Sequence, residues 1–235
     1  MDTELKNAIR TDADFRFAKA KVDLILYFVL IAVASMISTG VCRFLLKLLP
    51  DAYGGLISFV RFSLSCLVLL FVTGPMMVGF TKGILDLKTN DSAKDCIFYA
   101  FKEGRYLKVV RSLVLYTAVG FVPRIIDLIS DVLGIRTLYG ISLVTSLGVA
   151  FVELFLFTFV HQIIAEDIEV SPVDACLKSI KLMTGQQKGL WDLLISYIVV
   201  VIIVVVTCGI GLFYAGPLIN CGITCFYERL KENDK

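Results

Sequence analysis

The chain has 235 residues, 57% of them hydrophobic, and a formal net charge of only +2. Its mean hydropathy of +0.83 is well above what a water-soluble domain needs, and nothing in the charge balance points to nucleic acid. From Leu193 to Tyr227 there are 35 residues without a charged side chain, whereas about 20 helical residues cross a bilayer's hydrocarbon core. Lipid tolerates helices or closed barrels only, so the composition implies an all-α integral membrane protein.

In chain order, the first element is a charged N-terminal segment containing Thr11-Asp12-Ala13-Asp14, followed by an apolar stretch over Val22–Val41. Ala32-Val33-Ala34 imitates a signal-peptide cleavage site. The preceding residues include Asp2, Glu4, Asp12 and Asp14, which make a poor n-region, so the stretch reads as a retained span. A second stretch covers Leu56–Phe80. After Ser92-Ala93-Lys94-Asp95, apolar residues fall at Ala93, Cys96, Ile97, Ala100 and Phe101, the stripe of a short amphipathic helix.

The third stretch, Leu107–Val122, carries Arg111 in its first turn, from which a guanidinium can snorkel to the headgroups, and Pro123 interrupts its far end. The fourth is Ile141–Val160. Ser171-Pro172-Val173-Asp174 then opens a second amphipathic segment, with Val173, Cys176, Leu177, Ile180 and Met183 on one stripe and Lys178 and Lys181 opposite. Stretches over Leu190–Thr207 and Leu212–Phe226 close the count at six, separated by Gly209-Ile210-Gly211.

Lys and Arg accumulate on the cytoplasmic side of membrane proteins. With the N-terminus inside, 18 basic residues fall on the cytoplasmic side and five outside, so both termini are expected in the cytoplasm. The three [ST]-x-x-D boxes lie 81 and 79 residues apart, each ahead of a pair of apolar stretches. In each, the hydroxyl can cap a helix start while the aspartate faces its positive end. The expected plan is one polytopic domain over residues 1–235. It consists of three units, about 11–85, 92–165 and 171–230, each an amphipathic interfacial helix followed by a transmembrane hairpin.

The residues Ile97-Phe98-Tyr99-Ala100-Phe101-Lys102 resemble the interfacial segment of an uncharacterised bacterial membrane family, domain of unknown function 975. The C-terminal half is similar to it in order and spacing. The matching blocks are Ala165-Glu166-Asp167, Ala175 to Ser179, Lys181 to Gly185, Leu190 to Tyr197, Gly209 to Leu212 and Cys225 to Leu230. Tyr197 stands where that family usually has Phe, and Gly216-Pro217-Leu218 where it has Pro-Tyr. The resemblance implies a multi-pass helical protein of a bacterial plasma membrane, of Gram-positive type, and no activity.

Glu153 is the most informative polar residue. It lies near the middle of the fourth stretch, where an ionised carboxylate costs at least ~2.5–3.5 kcal/mol. A proton or cation relay would use it with His161, the only histidine, and with Asn220 in the last stretch. The plainer reading is a hydrogen-bonded carboxyl that fixes helix packing. Trp191 and Asp192 read as an interfacial anchor and a helix-start charge.

The seven cysteines form no CxxC pair, and Cys221 and Cys225, at i, i+4, lack further ligands, so no metal site or cofactor is expected. No Walker loop, GxSxG or GxGxxG is present. The expectation is therefore a non-enzymatic scaffold or partner-binding subunit in the bilayer, its partner a membrane protein. Anionic lipid at the cytoplasmic Lys and Arg residues is a minority reading. The alternative is a small-solute or ion carrier working through Glu153.

Overall fold

The structure, a computed structural model, describes residues 3–46, 60, 63–90, 92–93, 96, 98–102, 104–133, 137–207 and 209–233. The Tyr53-Gly54 linker, the start of the second apolar stretch, and Lys94, Asp95 and Ile97 of the first amphipathic segment lie outside them. Among the described residues all regular structure is helical and no strand is present.

The order is α1 (Thr3–Lys19), α2 (Lys21–Leu46), α3 (Ser63–Asp86), α4 (Tyr106–Val119), α5 (Phe121–Leu133) and α6 (Thr137–Phe155). Then come α7 (Val160–Glu166), α8 (Pro172–Met183), α9 (Gln187–Ser196), α10 (Ile198–Val206) and α11 (Leu212–Asn233). Among the described residues two helices are long and apolar enough to cross a membrane, over Lys21–Val41 and Ser63–Asp86. Two bent pairs, Gly140–Phe155 with Val160–Glu166 and Gln187–Ser196 with Ile198–Val206, raise that number to four if each is one broken span. Of the other two predicted stretches, the third becomes a 14-residue helix, α4, that stops at Gly120. The sixth lies in α11, whose last turns are charged.

Helix α2 shows why these segments suit lipid. Leu24, Tyr27 and Ile31 form its buried stripe, while Val22, Leu26, Met36 and Ile37 face outward. Met36 is 73% exposed and Val206, on α10, 75% exposed. A helix apolar on both its buried and its open face is a membrane pattern rather than an aqueous one.

Breaks in the helices have identifiable causes. In α3 the turn over Leu69–Thr73 is a π-helix, and Pro75 follows it. Proline has no N–H to give the preceding turn. The Phe71 carbonyl, four residues earlier, instead accepts from the Tyr106 hydroxyl at 2.7 Å. The bend of 41° between α6 and α7 is stitched by Ser179 of α8. Its hydroxyl donates to the Leu156 carbonyl at 2.6 Å and accepts from the Phe159 N–H at 3.2 Å. At the 51° bend between α9 and α10, the buried Tyr197 lays its ring against Gly222 of α11. The turn between α10 and α11 uses Gly209 at φ +90°, with the Gly211 N–H held by Thr207 Oγ1 at 2.8 Å.

The three [ST]-x-x-D boxes sit in three different settings. Ser171 is a helix N-cap: its Oγ accepts from the Asp174 N–H at 3.1 Å, and Pro172 occupies the first turn. Thr11, expected at a helix start, lies inside α1, because the helix already runs from Thr3. Ser92 donates to the Asp23 carboxylate at 3.2 Å, and the described residues after it form a 3-10 turn at Tyr99–Phe101 rather than an α-helix.

Candidate functional site

Glu153 sits two residues before the end of α6, half-buried. Its Oε1 faces the junction of α4 and α5, 3.7 Å from where a Cβ on Gly120 would stand. It also lies within electrostatic reach of Tyr116. His161, on α7, meets the same tyrosine edge-on, with ring centroids 5.3 Å apart. Glu153 and His161 are therefore both neighbours of Tyr116.

Asn220 does not join them. Its Nδ2 donates to the Gly216 carbonyl of its own helix at 2.8 Å, and the Phe28 ring of α2 lies against Gly216. Of the three candidates the structure gathers two around one tyrosine. The third belongs to the seam between α2 and α11. Trp191 is half-exposed and packs its other side on Phe155, 5.3 Å between centroids.

The most developed polar arrangement lies elsewhere, at the charged ends of the helices. Arg16 of α1 is only 2% exposed. Its Nη2 donates to Glu228 Oε2 of α11 at 2.5 Å and to Asp12 Oδ2 at 3.2 Å. Burial on its own lowers the guanidinium pKa. The hydrogen bond to Glu228 and the negative charge of Glu228 and Asp12 more than reverse this, so it titrates above the usual arginine range. Nε and Nη1 of Arg16 have no hydrogen-bond partner among the described residues. They belong to a side chain that lines a cavity of about 340 Å³, with Lys88, Cys225, Arg229 and Glu232 on its other walls. Lys88 and Arg229 both pair with Glu232, at 3.3 and 3.6 Å, in exposed bridges that contribute little.

A second node joins α7 to α11. Glu166 accepts from the Tyr227 hydroxyl at 2.7 Å and from the Lys231 ammonium. Burial, then the hydrogen bond to Glu166, push the Tyr227 phenol above its ordinary pKa, so it remains a donor at any physiological pH.

In the sequence Arg16 is one of the basic residues that set the topology, and Glu228 is part of the Cys225 to Leu230 block, so neither stands out as half of a pair. A signal was present in the spacing. Ile9, Ala13 and Phe17 make the buried stripe of α1, and Arg16 falls beside them on it. Glu228 likewise continues the Cys221, Cys225 face of α11. A charge placed on a buried stripe requires a partner. No family model, curated protein or solved structure matches the chain.

Proposed function

We propose that this chain is a non-enzymatic, multi-pass protein of a bacterial plasma membrane, acting as a scaffold or partner-binding subunit. In this reading its six apolar stretches are six spans in three hairpins and both termini are cytoplasmic. Its family is the one with domain of unknown function 975. The observation that carries the functional part is how the polar groups inside the apolar helices are used. Asn220, Thr39 and Thr145 each close on a carbonyl one turn back in their own helix, at 2.8, 2.7 and 2.8 Å. Groups spent in this way do not converge on a substrate. The strong polar network lies at helix ends, where it ties α1, α7 and α11 together.

A carrier is the second reading, favoured by the placement of Glu153 and His161 near the same tyrosine, Tyr116. Gentle solubilisation and affinity purification from the host membrane separates the two. A stoichiometric membrane-protein partner supports the scaffold. A partnerless chain that moves protons or cations in liposomes, and stops doing so as Glu153→Gln, overturns it. Reporters fused after Gly140 and after Lys235 test the topology; both on the same side would refute six spans.

A further inference from the structure

Helices α2 and α3, the two that are long and apolar enough to cross a membrane among the described residues, share a groove of about 290 Å³. Ser35 and Thr39 of α2 line it, with Ser65, Leu69 and Thr73 of α3 opposite, so four hydroxyl-bearing residues meet between two apolar helices. Next to them in sequence, Met36 and Ile37 on α2 and Leu67 and Phe71 on α3 are exposed. The groove is therefore polar inside and apolar at its lips.

A hydroxyl in an apolar helix is usually satisfied by the carbonyl one turn back, as Thr39 is by Ser35 at 2.7 Å. Ser35 and Thr73 are different. Among the described residues neither of their hydroxyls has a hydrogen-bond partner. Thr73 also ends the π-helical turn Leu69–Thr73, a kind of irregularity that tends to mark functional positions. In hydrocarbon an unmet hydroxyl is costly, and an acyl chain filling the groove has nothing to offer it. A hydroxyl both donates and accepts, so a surface whose unmet groups are hydroxyls is complementary to itself. A two-fold axis along the groove would bring Ser35 and Thr73 of each copy to the same patch of the other. The exposed lips would then pack against one another, as helices in lipid do when polar side chains join them.

We propose that this groove is the interface of a homodimer within the bilayer, two copies of the chain meeting along α2 and α3 with Ser35 and Thr73 hydrogen-bonded across it. The proposal rests on the bilayer reading above and names a second copy of this chain as a partner.

The test is Förster transfer between full chains carrying donor and acceptor dyes on a C-terminal tag, followed in liposomes as the protein is diluted in lipid. Transfer that persists on dilution and fits a dimer is expected of the parent. Ser35→Ala/Thr73→Val should weaken the dimer on the order of tenfold. Ser35→Leu, which fills the groove from a half-buried position, should weaken it at least as much. Val205→Leu, at an exposed position of α10, should leave it unchanged. Melting temperatures close to the parent's should show that each variant remains folded. A parent that is monomeric at every dilution overturns the proposal, as does a Ser35→Leu chain that dimerises like its parent. Equal losses in Val205→Leu would mean non-specific crowding and overturn it too. A monomeric parent that retains a different membrane protein, lost in Ser35→Leu, reassigns the groove to that protein; the scaffold reading then stands and the second copy falls. Carbonate extraction of the same liposomes separates the two levels. A chain released by carbonate refutes the bilayer reading itself, while an integrated monomer refutes the dimer alone.

Discussion

Arg16 Nη2 donates to Glu228 Oε2 at 2.5 Å, joining residues 212 positions apart in the chain. Helices α1 and α11 are thereby locked by a buried ion pair whose arginine is almost inaccessible. Removing one partner of such a pair leaves an uncompensated charge, which costs more than the pair itself contributes.

Glu228→Ala should therefore destabilise the protein by about 3 kcal/mol, measured by thermal unfolding in detergent. Asp12, at 3.2 Å, remains as a weaker partner and keeps the loss from growing further. Arg16→Met combined with Glu228→Leu should lose less than Glu228→Ala alone, because no charge is then stranded. A double variant as unstable as the sum of its singles would show that the two residues are not coupled. The pH dependence has a definite sign. Arg16 titrates above its ordinary range, so its contribution is fully present below that range and is lost only as pH rises beyond it. The offset in melting temperature between the parent and Arg16→Met should accordingly be the same at pH 6 and pH 9.

Gly74, just after the π-helical turn of α3, packs against Leu113 of α4. A Cβ there would stand 2.7 Å from both the Leu69 carbonyl oxygen and Leu113 Cδ1. Gly74→Ala should cost roughly 1–3 kcal/mol, the usual range for overpacking. Adding Leu113→Ala should not restore stability, since the backbone clash persists and a core side chain is lost. Full recovery in that double variant would mean that the turn relaxes and the glycine is not required.

Ser179 supplies both bonds that close the break between α6 and α7 and is fully buried. Ser179→Ala strands the Phe159 N–H and the Leu156 carbonyl, at about 1–3 kcal/mol for a buried unsatisfied group. Thr184→Ala removes only a back-bond to Ile180 at an exposed position and should stay within about 0.5 kcal/mol of the parent. Equal effects of the two substitutions on the melting temperature would remove Ser179 from this role.

Much of this architecture is legible in the sequence, for local reasons. The Val22–Val41 run reappears as the spanning part of α2, Ser171 caps α8, and Gly209 to Gly211 separates the last two helices. Each depends on hydropathy, a cap or a glycine, which are properties of neighbouring residues. What the sequence conceals depends on tertiary contacts. The 41° bend after Phe155 has no proline or glycine to announce it; it exists because Ser179, 20 residues beyond Phe159, satisfies the freed backbone. Thr11 has the residues of a cap, yet α1 starts eight residues earlier and buries Ile9, Ala13 and Phe17 through that point. For the candidate site, Glu153 and His161 were visible as isolated polar residues in apolar surroundings. Tyr116, which neighbours both, reads in the sequence as any other aromatic residue in a hydrophobic run.

Glu153 decides between the scaffold and the carrier. It faces the α4–α5 junction beside Gly120 and Tyr116, so its carboxyl is directed at neighbouring helices. If it only fixes that packing, Glu153→Gln should be nearly silent, because the amide keeps hydrogen-bonding capacity at similar volume. Glu153→Leu should then lower the melting temperature in detergent, by an amount in the ~1–3 kcal/mol range of a lost buried polar contact. If it carries protons or cations, Glu153→Gln should abolish flux into liposomes while leaving the melting temperature unchanged. Tyr116→Phe gives a third arm. It keeps the ring against His161 but removes the hydroxyl, so it should impair a relay through that tyrosine and leave a packing role intact. The expected outcome is structural: Glu153→Leu destabilised, Glu153→Gln and Tyr116→Phe stable, and no flux in any of them or in the parent. A parent protein with flux that both Glu153→Gln and Tyr116→Phe suppress would replace the scaffold with a carrier. A Glu153→Leu protein as stable as its parent and unchanged in flux would rule out both roles.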